Sequence, residues 1–563
     1  MSAVDDAVTG EIVRNGLAMA AEEASIVVVR AGHSAHIQEG ADACAAVVDA
    51  EGQLVTLSTA TSLMHAASLR CSLPSLLEDF PLEAMAPGDV FALSDPYRGG
   101  IHANDILVFR PVFADGRVTC FAGTLIHVAD VGGVAAAGLA ALATDTFVEG
   151  LVLPPVHLER AGDPQLDVLR IIARNSRTPD KVIGDVQALV AGTSVLARRV
   201  EELQARYGAA TVGRVVAEAM DESERRMRAS LAALPPGRYT GSFAIDTDGV
   251  EDRTFTVVAN VALPGDGTID IDLGGTSAQA RGAINSSVSQ TLSGVMFAVR
   301  CFVDPTIPMN EGCFRPLRVE LPRGTLVNPD PPAACGGRLV TVAAVTEALL
   351  QALAGAVPDL AVAASALVHI VALHGTRPGG EVWLTLLYEF GGLGARTGAD
   401  GPDATGAFFL GGRSVIPQVE PLEAQFPFVV RATRLLPDSG GPGRWRGGLG
   451  VETILELLDH ASVTVRGDRL GDFPPPGAQG GAPGRPGSFT VERADGTVEA
   501  LAARQADVPL APGDRLVIRT SGGGGLGPPA ERDPVAVATD VDAGLVTPAA
   551  AGRDYPVVAD RAS

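Results

Sequence analysis

The chain is predicted to be a multidomain α+β protein, with mixed sheets and helices in its N-terminal two-thirds and a β-rich C-terminal domain. Three observations carry that prediction. Apolar residues recur at helical spacing through 166–232, where Val182, Val186, Leu189, Val190 and Leu196 fall on one face. After Pro235-Pro236-Gly237 the period changes to two, as in FTVVANVALPGDGTIDIDL. From residue 421 onward short strand-like runs alternate with Gly and Pro, as in SVTVRGDR, GSFTVERADGTV and DRLVIRTSGGGGLG. The expected domains are 1–235, 236–420 and 421–563.

In chain order, residues 5–30 read as an amphipathic helix with Val8, Ile12, Leu17 and Ala20 on one face. CAAVVD and QLVTL are strands flanking an AEG turn, with Asp42 just before the first. A helix through TSLMHAASLRCSLPSLLEDF includes His65, which caps or packs. ILVFRPVF and VTCFAGTLI, joined by ADG, read as a hairpin. Glu149 sits in a largely apolar run and must be paired, exposed or functional. His157 is expected to face solvent beside Glu159 and Arg160. In RNSRTPDK one helix stops and another starts, with Thr178 as cap and Pro179 at its first position. Helices are expected through SQTLSGVMFAVRCFV, 338–356 and DPVAVATDVDAGL, and strands at ALVHIVAL and EVWLTLLYEF. The run Gly522–Gly525 is expected to be a flexible loop.

With 563 residues the chain can bury large cores, and 46% apolar against 4% aromatic content implies cores of Ala, Val and Leu. The net charge of -23 argues against nucleic acid or an anionic membrane as partner. The acidic, amphipathic N-terminus is unlike a signal peptide, and no uncharged apolar run reaches membrane-spanning length, so a cytoplasmic protein is expected. The six cysteines form no C-x-x-C and read as reduced thiols. No Walker A loop is present.

The chemistry concentrates in SDPYRGGIHANDILVFRPVFADGRVTCFAGTLIHVADVGG. It holds two copies of H-x-x-D, His102 with Asp105 and His127 with Asp130, one at each glycine-flanked edge of the hairpin. A hairpin returns both to one end of a sheet. Imidazoles and carboxylates without thiolate fit a divalent zinc, manganese or iron ion with a position open to substrate or water. The competing reading is that His127 and Asp130 hydrogen-bond internally and cap a strand end.

From end to end the chain resembles the hydantoinase B/oxoprolinase family, which includes N-methylhydantoinase subunits, half of 5-oxoprolinase, and large subunits of acetone and acetophenone carboxylases. The resemblance is carried by EGADACAAVVDAEGQLV, DPYRGGIHANDILVFRPVF, HVADVGG, ATDTFVEGLVLPPVHL, RNSRTP, NEGCFRPLRV, GADGPDATGAFFLGG, PDSGGPGRWRGGLG and SGGGGLGPP. It implies a partner, a hydantoinase A-type subunit that binds ATP and phosphorylates an amide or enol oxygen, in a hetero-oligomer. It also implies metal ligands at Asp42, His102, Asp105 and His127, leaving Asp130 and Glu149 as candidates for general-base work. The reaction expected is ATP-dependent opening of a cyclic amide: a hydantoin, lactam or oxoproline-like ring. Carboxylation of a ketone is the alternative. A third reading, a non-catalytic scaffold for the ATPase subunit, is motivated by departures from the family pattern at His36, Ala43 and Val128.

Overall fold

The computed structural model describes residues 3–38, 43–59, 65–139, 141–377, 379–405 and 418–556. The chain opens with α1 (Ala3–Ala31) and the short α2 (Ala35–Gln38), then β1 (Ala43–Asp49), β2 (Leu54–Leu57) and α3 (Ala66–Asp79). β3 (Val90–Leu93), the long hairpin β4 (Asp105–Ala114) and β5 (Arg117–His127), β6 (Val156–Arg160) and β7 (Asp163–Pro164) complete a seven-stranded sheet. Its order is β2-β1-β5-β4-β3-β6-β7, and every neighbouring pair is antiparallel.

Both faces of this sheet are covered, which is why its central strands read as continuous apolar runs rather than as alternation. Cys44, Ala46, Leu107, Phe109, Phe121 and Leu125 point into one core, while Ala43, Ala45, Ile106, Val108 and Ala122 point into the other. Helix α1 and helix α5 (Pro179–Tyr207), which follows α4 (Leu166–Arg174), pack together on the second face. The buried stripe of α1 is Val13, Leu17, Ala20, Ala21, Ala24 and Val28. Val8 and Ile12, expected on that face, are 54% and 45% exposed. Small residues set this packing: a Cβ added at Gly192 of α5 would overlap the Val28 side chain, so the two helices approach more closely than branched side chains would allow.

α6 (Ala209–Ala232) leads to a second sheet, in which β8 (Gly237–Ile245), β9 (Phe255–Leu263) and β10 (Ile269–Asp272) form an antiparallel meander and β11 (Leu317–Glu320) adds parallel to β10. α7 (Val288–Arg300) and α8 (Leu339–Ala356) pack against each other, and α8 lies on β8 and β9. Among the described residues α8 alone is long and apolar enough to cross a membrane, and 78% of it is buried inside the fold.

β12 (His369–Thr376) and β13 (Val382–Glu389) come next. After α9 (Val419–Gln425) the rest is mainly strand: β14 (Phe428–Leu435), β15 (Val451–Leu457), β16 (Ala461–Arg466), β17 (Ser488–Glu492), β18 (Val498–Leu501), β19 (Arg504–Leu510) and β20 (Arg515–Arg519), then α10 (Pro534–Asp542) and α11 (Pro548–Asp554). Sheets β13-β12-β16-β19 and β14-β15-β20-β17-β18 enclose one core containing Val371, Leu373, Phe428, Leu455, Val463, Phe489 and Ile518. β12 and β13 thus join a sheet with strands from beyond residue 421, and the largest core draws residues from Cys44 to Phe390, across residue 235. Changes of hydrophobic period mark changes of element type here without interrupting the packing.

Three local expectations are corrected. Thr178 stands at the N-cap of α5 but makes no side-chain cap hydrogen bond, although Pro179 is at the start. His157 is half-buried, packed against Phe80 and Phe91 rather than facing solvent, because both rings lie on its side of β6. The run Gly522–Gly525 is no loose loop. Gly523, Gly524 and Gly525 donate to the carbonyls of Gly448, Ala364 and Ala482 at 2.8, 2.8 and 2.9 Å, and a Cβ at any of them would strike another backbone. Here glycine serves close approach of chains.

Candidate metal centre

The site begins at the open end of the β4–β5 hairpin. Its far end turns on Asp115-Gly116, both at positive φ (49° and 73°), as a tight two-residue hairpin requires. That turn and the one-residue bulge between Val112 and Phe113 together fix the register, which places Asp105 directly opposite His127. His102 comes from the loop before β4. Asp95 caps the Tyr97 amide at 2.9 Å, and Gly99 at φ +90° lies so close to the backbone of α3 that any Cβ would strike the Cys71 carbonyl. The His102 carbonyl accepts the Asp105 amide at 3.0 Å, closing a turn that brings both side chains inward.

His102, Asp105 and His127 each offer a donor atom, all within 4.8 Å of one another and all buried. His102 Nε2 lies 3.1 Å from Asp105 Oδ2. His127 Nδ1 is 3.2 Å from Asp105 Oδ1 and 3.2 Å from His102 Nε2. Burial, reinforced by the nearby Arg338 charge, pushes the His102 imidazole down to about 3, so it is neutral. Burial alone would raise the Asp105 carboxyl; its electrostatic interactions with His102 and Arg338 and the histidine hydrogen bonds outweigh it and hold Asp105 well below the usual range. Two imidazole nitrogens and a carboxylate converging on one buried point form the N,N,O donor set that a first-row divalent cation takes. The residues present therefore fit a metal. Asp42 lies outside the described residues; the strand after it starts at Ala43, whose partner Ile126 adjoins His127.

Asp130 turns away from this group toward the other side of its loop. Its carboxylate accepts the Arg177 amide at 2.6 Å, Arg177 Nη1 at 3.0 Å, the Ala137 amide at 3.2 Å and the Gly132 amide at 3.4 Å. It ties the loop after β5 to the α4–α5 junction, so the motifs HVADVGG and RNSRTP meet here.

Glu149 is buried, and its carboxylate accepts the Cys335 amide at 3.0 Å and the Gly336 amide at 2.5 Å. Burial pushes it up to about 7, against those two hydrogen bonds and the Arg338 and Arg466 charges, which lower it. The turn at Cys335–Arg338 joins it to the triad: Arg338 Nη2 reaches Asp105 Oδ2 at 3.0 Å, and Arg466 Nη1 donates to the Gly336 carbonyl at 2.8 Å. Tyr97, from the His102 loop, donates its hydroxyl to the Ala333 carbonyl at 2.6 Å. Sequence reasoning missed Arg338, Arg466 and Tyr97. Arg338 adjoins the Cys335-Gly336-Gly337 run, whose glycines mark a close approach of chains: a Cβ at Gly336 would sit 2.7 Å from Glu149 Oε1.

Residues 6–529 match the profile of the family described as hydantoinase B/oxoprolinase. The chain belongs to that family. It is 30% identical to the beta chain of the caprolactamase of Pseudomonas jessenii, covering 99% of this chain and 96% of that one. It is 28% identical to one subunit of a putative D-/L-hydantoinase of Pseudomonas sp. (strain NS671), covering 98% and 95%. The crystal structure of the ATP-dependent caprolactamase from Pseudomonas jessenii superposes with a TM-score of 0.89 at 27% identity, covering 97% of this chain and 96% of that one. A nucleotide-free acetone carboxylase structure also reaches 0.89, at 20% identity over 97% of this chain and 79% of that one, which shows a shared fold.

Proposed function

We propose that this chain is the metal-dependent half of an ATP-dependent cyclic-amide hydrolase in the cytoplasm, paired with an A-type ATPase subunit. In the family, the caprolactamase relative is named as ATP-dependent and as one subunit of a complex, which supports the partner and the nucleotide. The observation that carries the reading is the convergence of His102, Asp105 and His127 within 4.8 Å in a buried pocket. These three would hold a divalent zinc, manganese or iron ion, with Asp42, as the family resemblance implies, as a fourth ligand. Such an ion supplies Lewis acidity to a carbonyl or phosphoryl oxygen and makes water a stronger acid.

The substrate is a hydantoin, lactam or oxoproline-like ring whose amide oxygen the partner has phosphorylated at the expense of ATP, releasing ADP. Water adds to the ring carbon, and Glu149 takes its proton, a task suited to a carboxyl poised near 7. The ring C–N bond breaks as Glu149 returns that proton to the nitrogen. A second water hydrolyses the remaining acyl phosphate to carboxylate and inorganic phosphate. Asp130, held by Arg177 and backbone amides, keeps the loop after β5 in place.

The test uses the chain purified with its A-type partner, following ADP release and ring opening with a panel of hydantoins and lactams. The reading expects substrate-dependent ADP release that persists in His102→Ala while ring opening is lost. Full ring opening by folded His102→Ala and Asp105→Ala would end it, and incorporation of labelled bicarbonate into a ketone would replace it with the carboxylase reading.

A further inference from the structure

Two buried guanidiniums beside the triad have too few partners. Arg338 is 5% exposed and Arg466 is 7% exposed. Each carries five N–H donors and no acceptor. Arg338 spends Nη2 on Asp105 Oδ2 at 3.0 Å and Nε on Gln290 Oε1 at 3.4 Å. Arg466 spends Nη1 on the Gly336 carbonyl at 2.8 Å. Neither side chain makes another hydrogen bond among the described residues, and Arg466 has no ion pair there. A buried cation is ordinarily matched by an anion and a full set of hydrogen bonds. The one carboxylate paired with Arg338, that of Asp105, is already shared with His102 and His127.

The charge count makes the shortage sharper. A divalent ion with Arg338 and Arg466 outweighs Asp105 and an ionised Glu149, leaving this pocket positive, and the Asp468 carboxylate whose charge reaches Arg466 is bonded to Arg504. The peptide dipoles add to that sign, because the 18-residue helix α8 starts at Leu339, immediately after Arg338. The two arginines also sit on one turn: Arg338 ends it, and Arg466 grips the Gly336 carbonyl within it. The same turn supplies the amides that hold Glu149.

We propose that Arg338 and Arg466 form the anion-binding half of the metal centre, gripping the phosphoryl group of a substrate phosphorylated by the partner. The inference rests on the hydrolase reading for the source of the phosphoryl group, and on the two side chains for the binding itself. A planar guanidinium presents paired N–H groups at the spacing of two phosphoryl oxygens, and such charge-assisted bonds are stronger than neutral ones. Holding that group would set the ring carbon beside the triad and Glu149, and after turnover the same donors would hold inorganic phosphate.

The experiment uses the complete complex, with inorganic phosphate as the probe. Phosphate affinity is measured by calorimetry on metal-loaded protein, metal content by mass spectrometry, and ring opening alongside ADP release. Arg338→Gln and Arg466→Gln are each expected to weaken phosphate binding about tenfold to hundredfold, the range for losing bonds to a charged group, with metal content unchanged in Arg466→Gln, whose side chain bonds the Gly336 carbonyl and no ligand. ADP release should continue while ring opening falls. Guanidinium ion added to Arg338→Ala should restore phosphate affinity together with part of the ring opening. If either glutamine variant misfolds, Arg→Lys at that position keeps the charge and loses the fork, and should bind phosphate with intermediate affinity. Unchanged phosphate affinity in both folded variants would overturn the proposal. Phosphate bound through these arginines in a complex that opens no cyclic amide would leave the anion site standing and remove the substrate reading instead.

Discussion

The two H-x-x-D copies share a spacing and part ways in space. In the first, His102 and Asp105 turn the same way and lie 3.1 Å apart. In the second, His127 crosses the hairpin to join them, while Asp130 points to Arg177 on the far side of the loop. Spacing along the chain did not decide this; the strand did. His127 is the last residue of β5 and Asp105 the first of β4, so antiparallel register sets them opposite each other. Asp130 lies beyond the strand end, where the loop follows its own hydrogen bonds. The working unit is therefore a cross-strand pair with one loop histidine added, and substitutions at the four positions should fall into two classes.

The largest effects belong to the converging class. Asp105→Asn removes the charge that both histidines and Arg338 share, and His102→Ala removes a donor outright. Each should lower metal content and ring opening by well over the roughly 10–100-fold typical of an outer partner of a ligand. Metal analysis beside turnover checks this. A folded Asp105→Asn that keeps full metal content would break the comparison, since it would make the first copy as structural as the second.

Glu149→Gln should follow, with a rate loss of about 10²–10⁴-fold and metal retained. The sign of the pH dependence is set by burial, which raises this carboxyl from its ordinary value to about 7. The base is the ionised form, so activity of the wild-type complex should climb as pH rises through about 7, and the glutamine variant should lack that limb. A rising limb that survives unchanged in Glu149→Gln would assign the proton transfer to another group.

How much of this could be read in advance follows the same division. The hairpin, its turn, the long helices and the His–Asp convergence all depend on local period and on residues close in sequence, and these were legible. The apolar face of α1 was not, because in so alanine-rich a helix the buried stripe is chosen by the Gly192 notch in α5. Arg338 and Arg466 were invisible for a related reason. They reach the site from the start of α8 and from β16, far along the chain, and a lone arginine carries no motif. The glycine run at 522–525 read as slack because composition alone does not distinguish a glycine that bends from one that makes room.

The second class should show in stability. Asp130→Asn leaves the triad intact but breaks a buried carboxylate away from Arg177, which is 33% exposed on its side chain. Losing charged hydrogen bonds at a half-screened pair should remove about 2–3 kcal/mol of stability. Denaturant unfolding measures it, and metal content of the folded fraction should match wild type. Loss of metal from folded Asp130→Asn would tie the second copy to the ion after all and merge the two classes.

The smallest effect tests the same lesson where no chemistry is involved. Thr178 and Thr547 both stand at an N-cap position, before a proline that starts a helix. Thr547 accepts the Ala550 amide on its hydroxyl at 3.2 Å and works as a cap. Thr178, at φ -127° and ψ 62°, makes no cap bond, and its buried hydroxyl has no partner among the described residues. Its amide instead meets the Ser176 hydroxyl at 3.0 Å. Thr547→Ala should therefore cost about 1–2 kcal/mol, because it removes a functioning cap together with the hydroxyl's bond to Asp438 at 2.9 Å, and Thr178→Ala less than about 0.5 kcal/mol or nothing. Paired unfolding curves separate the two. An equal loss at both positions would mean that the Thr178 hydroxyl caps α5 in solution, and that the capping signal in RNSRTPDK decides more than the backbone around it.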